Sequence, residues 1–404
     1  MSDLRVVIIG GGLGGLALAQ GLHQGGVRVA VYEKDPTPDF RNQGYRIRIN
    51  PDGIIALQAV LTPQAFEVFA ATAGNPGSRM DVFDHHLNLV HAQELPQAAG
   101  LPGGGNLAVN RRTLRQILLS GLERCVYYGA EFTGYTTEAS GAVTAHFADG
   151  TSATGDILVG ADGVNSATRR QYLPQAQVVD ARLRLIYGKL PLAGDEIGAR
   201  IPPELLGLWT TVLGPDKRFV GLAPVRFRAP MAQATARLAP DMQLGDESDY
   251  LACVFGARRE LFPCTDSELF AMKGGDLRAL TLSLVQGWDP RLVEMVADQD
   301  PASIFPVSVR TSVPMPRWET TAVTLLGDAI HVMSPAIGVG ANTALRDAQV
   351  LAGRLTEAAG GRPLAQALHA YEEEMLGYGF DAVRESAARG HRLVGQDLLP
   401  SIKG

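Results

Sequence analysis

The stretch Val6–Glu33, VVIIGGGLGGLALAQGLHQGGVRVAVYE, decides the fold. Val6–Ile9 is a continuous β-branched run of the kind that a parallel strand, buried on both faces, carries. Gly10, Gly12 and Gly15 supply a G-x-G-x-x-G turn, and Leu16, Leu18 and Ala19 continue as a helix that stops at Gly25-Gly26. Val27, Val29 and Val31 form a second strand ending at Glu33. In such a unit the first glycine permits the sharp turn, the second lets a pyrophosphate approach the backbone, and the third lets helix and sheet pack closely. The helix start, with Leu13 and Gly14, offers unpaired N–H groups to the phosphates. Glu33, followed by Lys34, stands where a carboxylate accepts from ribose hydroxyls and repels a 2′-phosphate, so the nucleotide held here is adenosine diphosphate-like.

Two further runs repeat the pattern of a short apolar strand followed by a glycine-flanked carboxylate. Ile157–Gly160 leads into Asp162-Gly163, with Ser166 and Arg169 beyond, and Val323–Leu326 leads into Gly327-Asp328-Ala329-Ile330-His331. After Pro335 comes Gly338-Val339-Gly340-Ala341-Asn342, and then Ala344, Ala348, Leu351 and Leu355 follow at helical spacing. The ends of parallel strands gather in one crevice, so Glu33, Asp162 and Asp328 are expected to surround one ligand. The helix opening near Gly340 would favour negative charge beside it. Gly103–Ala108 also fits a glycine fingerprint, but the Pro-rich segment before it is a loop, and it reads as a connection.

The chain has 404 residues, 46% hydrophobic and 19% charged, with a net charge of −6. That excludes a disordered chain and argues against nucleic acid or an anionic membrane surface as partner. Val6–Leu22 is apolar, but its six glycines and the lack of a basic cluster before it make it structure rather than a leader. Three cysteines without C-x-x-C spacing point to a reducing, cytoplasmic setting and to no metal site.

As a set, these motifs resemble the single-component FAD-dependent monooxygenases related to para-hydroxybenzoate hydroxylase, the aromatic-hydroxylase type. The resemblance rests on Gly10–Gly15 with Glu33, on Asp162-Gly163 within Gly160–Arg169, and on Gly327-Asp328 through Asn342. It implies tightly held, non-covalent FAD, with NADH or NADPH as transient co-substrate and O₂ as oxidant. It further implies that a flavin C4a-hydroperoxide passes oxygen to an aromatic or polycyclic small molecule. By the same resemblance Glu33 serves the adenosine half, Asp328 a ribityl hydroxyl, and Asp162 the pyrophosphate and pyridine-nucleotide path. Arg111, in Val109-Asn110-Arg111-Arg112-Thr113-Leu114, matches the family's phosphate or ribityl contact, and Pro335, Gly338, Gly340, Ala341 and Asn342 lie beside the ring. Gly44–Ile49 resembles the strand that passes the flavin. Alternation puts Arg46 and Arg48 on one face, toward either the flavin edge or an acidic substrate. No side-chain nucleophile is needed; Arg46, Arg48 and Pro335 are the candidates nearest the chemistry. Ile330, Ala336-Ile337 and Arg346-Asp347 depart from the family pattern and alter the pocket shape, and His331 reads as orienting its loop. The same scaffold also supports epoxidation, Baeyer–Villiger insertion, halogenation, reduction, or a carrier without enzymatic activity.

The fold class expected is α/β: a discontinuous Rossmann-like FAD-binding domain (1–75, 105–175 and 321–404) and a mostly antiparallel β substrate domain (76–104 and 176–320), with C-terminal helices. Arg182–Tyr187 and Arg218–Ala223 alternate as half-buried strands. Pro363–Val394 reads as one or two helices with Leu364, Leu368, Tyr371 and Met375 inward. A strand over Met80–Val90 would put His85 and His86 on opposite faces, with His91 far beyond, which opposes a metal site. Trp288 and Trp318 are expected at the domain junction.

Overall fold

The computed structural model describes residues 3–40, 45–192 and 200–400. Five parallel strands form one sheet in the order Val323–Leu325, Ile157–Gly160, Arg5–Ile9, Arg28–Glu33, Val126–Tyr128. Arg5–Ile9 is central, and its four apolar residues are buried, as a strand covered on both faces requires. The helix Leu13–Gln24 follows directly. A Cβ at Gly15 would lie 2.1 Å from the Gly10 carbonyl oxygen, so only glycine lets the helix return this closely to the strand end. The helix Gly340–Ala359 packs along it, and the helix Leu364–Val394 lies outside that. Leu368, Tyr371 and Met375 are fully buried there, while Leu364 is half-buried.

The second sheet has seven strands in the order Phe305–Ser312, Val178–Pro191, Tyr250–Arg258, Phe219–Val225, Trp209–Leu213, Arg79–Asp84, Leu89–Glu94. All neighbours are antiparallel except Trp209–Leu213 with Arg79–Asp84. The expected half-burial of two of these strands is corrected: Phe219–Val225 is buried at every residue, and within Arg182–Tyr187 the four residues Leu183, Arg184, Leu185 and Ile186 are buried in succession. Val220 and Leu222 lie under the helices Gly274–Leu284 and Pro290–Ala297, while Phe219 packs with Leu185, Val254 and Val394 on the other face. The strand is therefore sandwiched, which alternation alone does not reveal.

Two other expectations fail here. Met80–Val90 is a hairpin, not one strand: the chain reverses at Leu87, whose φ is 60°, and the His85 and His86 rings lie 4.0 Å apart rather than on opposite faces. Among the described residues no cluster of His, Cys, Asp or Glu is placed to hold a metal ion. The tryptophans do not mark a junction. Trp288 is in the core between the seven-stranded sheet and its helices, and Trp318 packs on the core of the five-stranded sheet, edge-on to Tyr172. No described helix is long and apolar enough to cross a membrane.

Candidate functional site

Three strand ends converge as expected: Ile9 pairs with Gly160, and Gly160 with Leu325. At the first, Gly12 caps Leu13–Gln24 without any side-chain cap, and a Cβ there would meet nothing within 4 Å. Uncapped amides facing open space are what a phosphate needs. Glu33, 9% exposed, is held beside this turn by the Gly11 amide donating to Oε2 (2.7 Å) and the Asp35 amide donating to Oε1 (2.9 Å). Lys34 is exposed next to it. Arg115 Nε donates to the Gly11 carbonyl at 3.0 Å.

At the third strand end the arrangement differs. Asp328 has an exposed side chain, yet protein surrounds the cleft it faces, and this desolvation raises its carboxyl above the usual range against the pull of His331 and Arg111. Its loop is fixed by a different carboxylate, the fully buried Asp347. Oδ2 of Asp347 accepts from the Gly327 amide (2.7 Å) and meets His331 Nε2 (2.6 Å), and Oδ1 accepts from the Tyr378 hydroxyl (2.6 Å). Burial opposes the His331 charge, but Asp347 outweighs it, and the imidazole pKa stands above its ordinary value. His331 thus orients the loop.

The remaining expected residues fall into two groups. Arg111 opens the helix Arg111–Leu119, lies 5.5 Å above the Tyr45 ring, and faces toward Asp328. Pro335 and Gly338 are exposed, and Gly340 and Ala341 begin a helix whose cap, Val339, makes no side-chain hydrogen bond to it. The others are engaged with their own scaffold. Asp162 accepts from Ser166 Oγ (2.5 Å) and from the Thr168 amide and hydroxyl (3.1 and 3.2 Å). Asn342 donates to the Arg48 carbonyl and accepts from the Asn50 amide, both at 2.9 Å, which ties the helix start to the strand Arg46–Ile49. Gly44 lies outside the described residues.

Arg46 and Arg48 part company. Arg46 is buried and reaches the second sheet, its Nη2 donating to the Leu208 carbonyl at 2.7 Å. Arg48 Nε donates to Asn106 Oδ1 at 2.9 Å; burial lowers its pKa, and the nearby Arg389 charge lowers it further. Between the strand Arg46–Ile49, which pairs with Leu107–Asn110 in a small two-stranded sheet, and the seven-stranded sheet lies a cavity of about 200 Å³ bordered by Tyr45, Arg46, Tyr187, Lys189, Tyr250 and Phe305. Sequence reasoning missed these last four, because they alternate along strands whose facing partners are distant in sequence. It also missed Arg115 and the loop-holding role of Asp347, for which a signal existed: each shares a helix face with a motif residue, four after Arg111 and seven after Gly340.

Comparison with known proteins agrees with this geometry. The FAD binding domain family matches residues 283–386, and the NAD(P)-binding Rossmann-like domain family matches residues 8–66. A crystal structure of an FAD-containing monooxygenase from Photorhabdus luminescens superposes with a TM-score of 0.83 at 30% identity, over 97% of this chain and 99% of that one. Klebsiella pneumoniae HpxO, solved with FAD and uric acid, superposes with a TM-score of 0.78 at 26% identity, over 98% of this chain and 90% of that one. A dual O-methyltransferase/FAD-dependent monooxygenase of Phaeosphaeria nodorum is 31% identical over 99% of this chain, which spans 47% of that protein's length. The chain spans about half the length of the first curated relatives it matches. An FAD-dependent urate hydroxylase of Klebsiella pneumoniae is 29% identical over 98% of this chain and 92% of the relative.

The fold and site define a flavoprotein of the Rossmann type with a second, sheet-built half. The chain belongs to the FAD-dependent monooxygenase family of the aromatic-hydroxylase type. FAD is the cofactor of that family, and the residues present fit it: an uncapped helix start beneath open space at Gly12, the clamped carboxylate of Glu33, and exposed Asp328 beside Arg111.

Proposed function

We propose that the chain is an NAD(P)H- and O₂-dependent monooxygenase that hydroxylates an aromatic small molecule. The observation that carries this reading is a cavity walled by aromatic side chains and set against the strand and helix that bear Arg46 and Arg111. When bound, FAD accepts electrons from nicotinamide and activates O₂, and the protein's task is to hold, orient and shield it. Glu33 would accept from a ribose hydroxyl, the Gly12 amides would face the pyrophosphate, and Asp328 with Arg111 would hold the ribityl chain. The start of Gly340–Ala359 would favour negative charge on the ring beside it. The seven-stranded sheet would exclude water from the opposite side.

Residues 1–75, 105–175 and 321–404 would then form the cofactor domain, and 76–104 with 176–320 the substrate domain. The three cysteines, all free, suit a reducing cytoplasm.

The test is substrate-stimulated NADH or NADPH oxidation by the FAD-loaded protein across a panel of phenols, with labelled O₂. Label in the product is expected. Flavin-loaded protein that turns over substrate without incorporating label would be a reductase, and the oxygenase reading would fall.

A further inference from the structure

We infer that the cavity between the strand Arg46–Ile49 and the seven-stranded sheet is the substrate site and that Arg46 is its anion receptor, so that the molecule held there is a planar aromatic carrying a carboxylate or an ionised phenol. This rests on the monooxygenase reading and deepens it.

Arg46 is 9% exposed, and no described carboxylate lies within ion-pair distance of it. One of its nitrogens donates to a backbone carbonyl, and its Nε has no acceptor at all. Burial, the largest influence, pushes its pKa down to about 10, and the Tyr250 hydroxyl offsets this only in part. A buried guanidinium left without a counter-charge is costly, and proteins ordinarily pair it. This chain does so elsewhere: Arg184, 2% exposed in the seven-stranded sheet, donates to both Asp180 and Asp266 at 2.7 to 2.9 Å.

The other cations around the cavity are already committed. Lys189 Nζ meets Glu247 Oε2 at 3.1 Å while lying 4.4 Å over the Tyr250 ring. Arg112 pairs with Asp39 at 3.4 Å, and Asp300 accepts from the Ala302 amide at 2.9 Å. Arg46 is what remains, and it borders the cavity. The wall facing it suits a flat ring: Tyr187 and Phe305 stack with centroids 5.6 Å apart and planes 7° from parallel, and Tyr45 tilts against both. An aromatic anion would place its ring on this wall and its charge on the guanidinium, whose planar fork matches a carboxylate. The neighbouring Arg48 is excluded from this role by its own contacts. It donates to Asn106, and its carbonyl accepts from Asn342 at the helix start, on the cofactor side.

The experiment is calorimetric titration of the FAD-loaded protein with two matched pairs of probes: 4-hydroxybenzoate against 4-hydroxybenzamide, and 4-nitrophenolate against 4-nitroanisole. At least one anion should bind about tenfold or more tightly than its neutral partner, the scale of one charged hydrogen bond; the pair that shows it identifies the charged group. Arg46→Gln should reduce the preference to less than about twofold, whereas Arg46→Lys should keep part of it and Arg48→Gln all of it. If Arg46→Gln does not fold, the contrast between wild type, Arg46→Lys and Arg48→Gln carries the test. Equal binding of anions and neutral partners by wild type would overturn the inference, as would loss of the preference in Arg48→Gln rather than in the Arg46 variants. Oxygenation of neutral phenols alone would sink this inference and leave the monooxygenase reading standing; absence of label with full flavin would sink that reading instead.

Discussion

The turn at Glu33 and the loop at Asp328 follow strands of one sheet that have two others between them, and both carry a carboxylate toward the same crevice, yet they are built in opposite ways. Glu33 is buried and both of its oxygens are held by backbone amides, so the acid itself is the fixed part. Asp328 is exposed, and its loop is fixed by Asp347, His331 and Tyr378 behind it. The difference teaches that a carboxylate at a strand end can be positioned directly or through a second, buried one. The second arrangement leaves both oxygens of the first free to meet a ligand hydroxyl.

The largest effect should come from removing the hidden carboxylate. Asp347→Ala leaves a buried imidazole, an amide and a phenol without their acceptor, and unfolding free energy should fall by about 3–5 kcal/mol in a denaturant titration. A loss under about 1 kcal/mol would mean that the loop is held by its backbone alone.

Next in size, the two exposed-versus-clamped acids should separate in kind. Asp328→Ala should weaken FAD binding by about 1.5–3 kcal/mol in a fluorescence titration and leave the stability of the FAD-free protein unchanged or slightly raised. Glu33→Gln should instead lower both, each by about 1 kcal/mol. If the two variants behave alike, the contrast drawn here is wrong.

The smallest effect is a pH dependence. The folded-state pKa of His331 is raised above its unfolded value, so the stability this pair contributes is fully present below about pH 6.5 and is lost as the pH rises through the folded value. Stability curves for wild type should therefore decline across that window more steeply than those for Asp347→Asn. Parallel curves would remove His331 from the network.

Much of the cofactor side was legible in the chain because its chemistry is local. A strand, a glycine turn and a helix lie within one short stretch, and the turn must contain glycine wherever backbone meets backbone, as at Gly10 and Gly15. The helical character and inward face of Pro363–Val394 followed from periodicity for the same reason, although that it is one helix, Leu364–Val394, did not. The hairpin at His85–Asn88 was not legible, because its tip carries none of the usual glycine signals and reverses through Leu87 with a positive φ. Nor was the full burial of Phe219–Val225, since what covers the second face of a strand comes from helices and a C-terminal segment far along the chain.

The sequence by itself therefore determined the strand-turn-helix units, the order of the three carboxylates and the kind of cofactor they suit, because each depends on residues a few positions apart. Only the tertiary structure decided which acid faces the crevice and which one holds the loop. It also decided that Arg46 turns to the seven-stranded sheet while Arg48 bonds Asn106 beside its own strand's partner, and that Tyr187, Lys189, Tyr250 and Phe305 share a cavity with Arg46. The reason is that burial and pairing are set by whatever long-range neighbour arrives. A guanidinium with two carboxylates, as at Arg184, and one with none, as at Arg46, look the same in the chain.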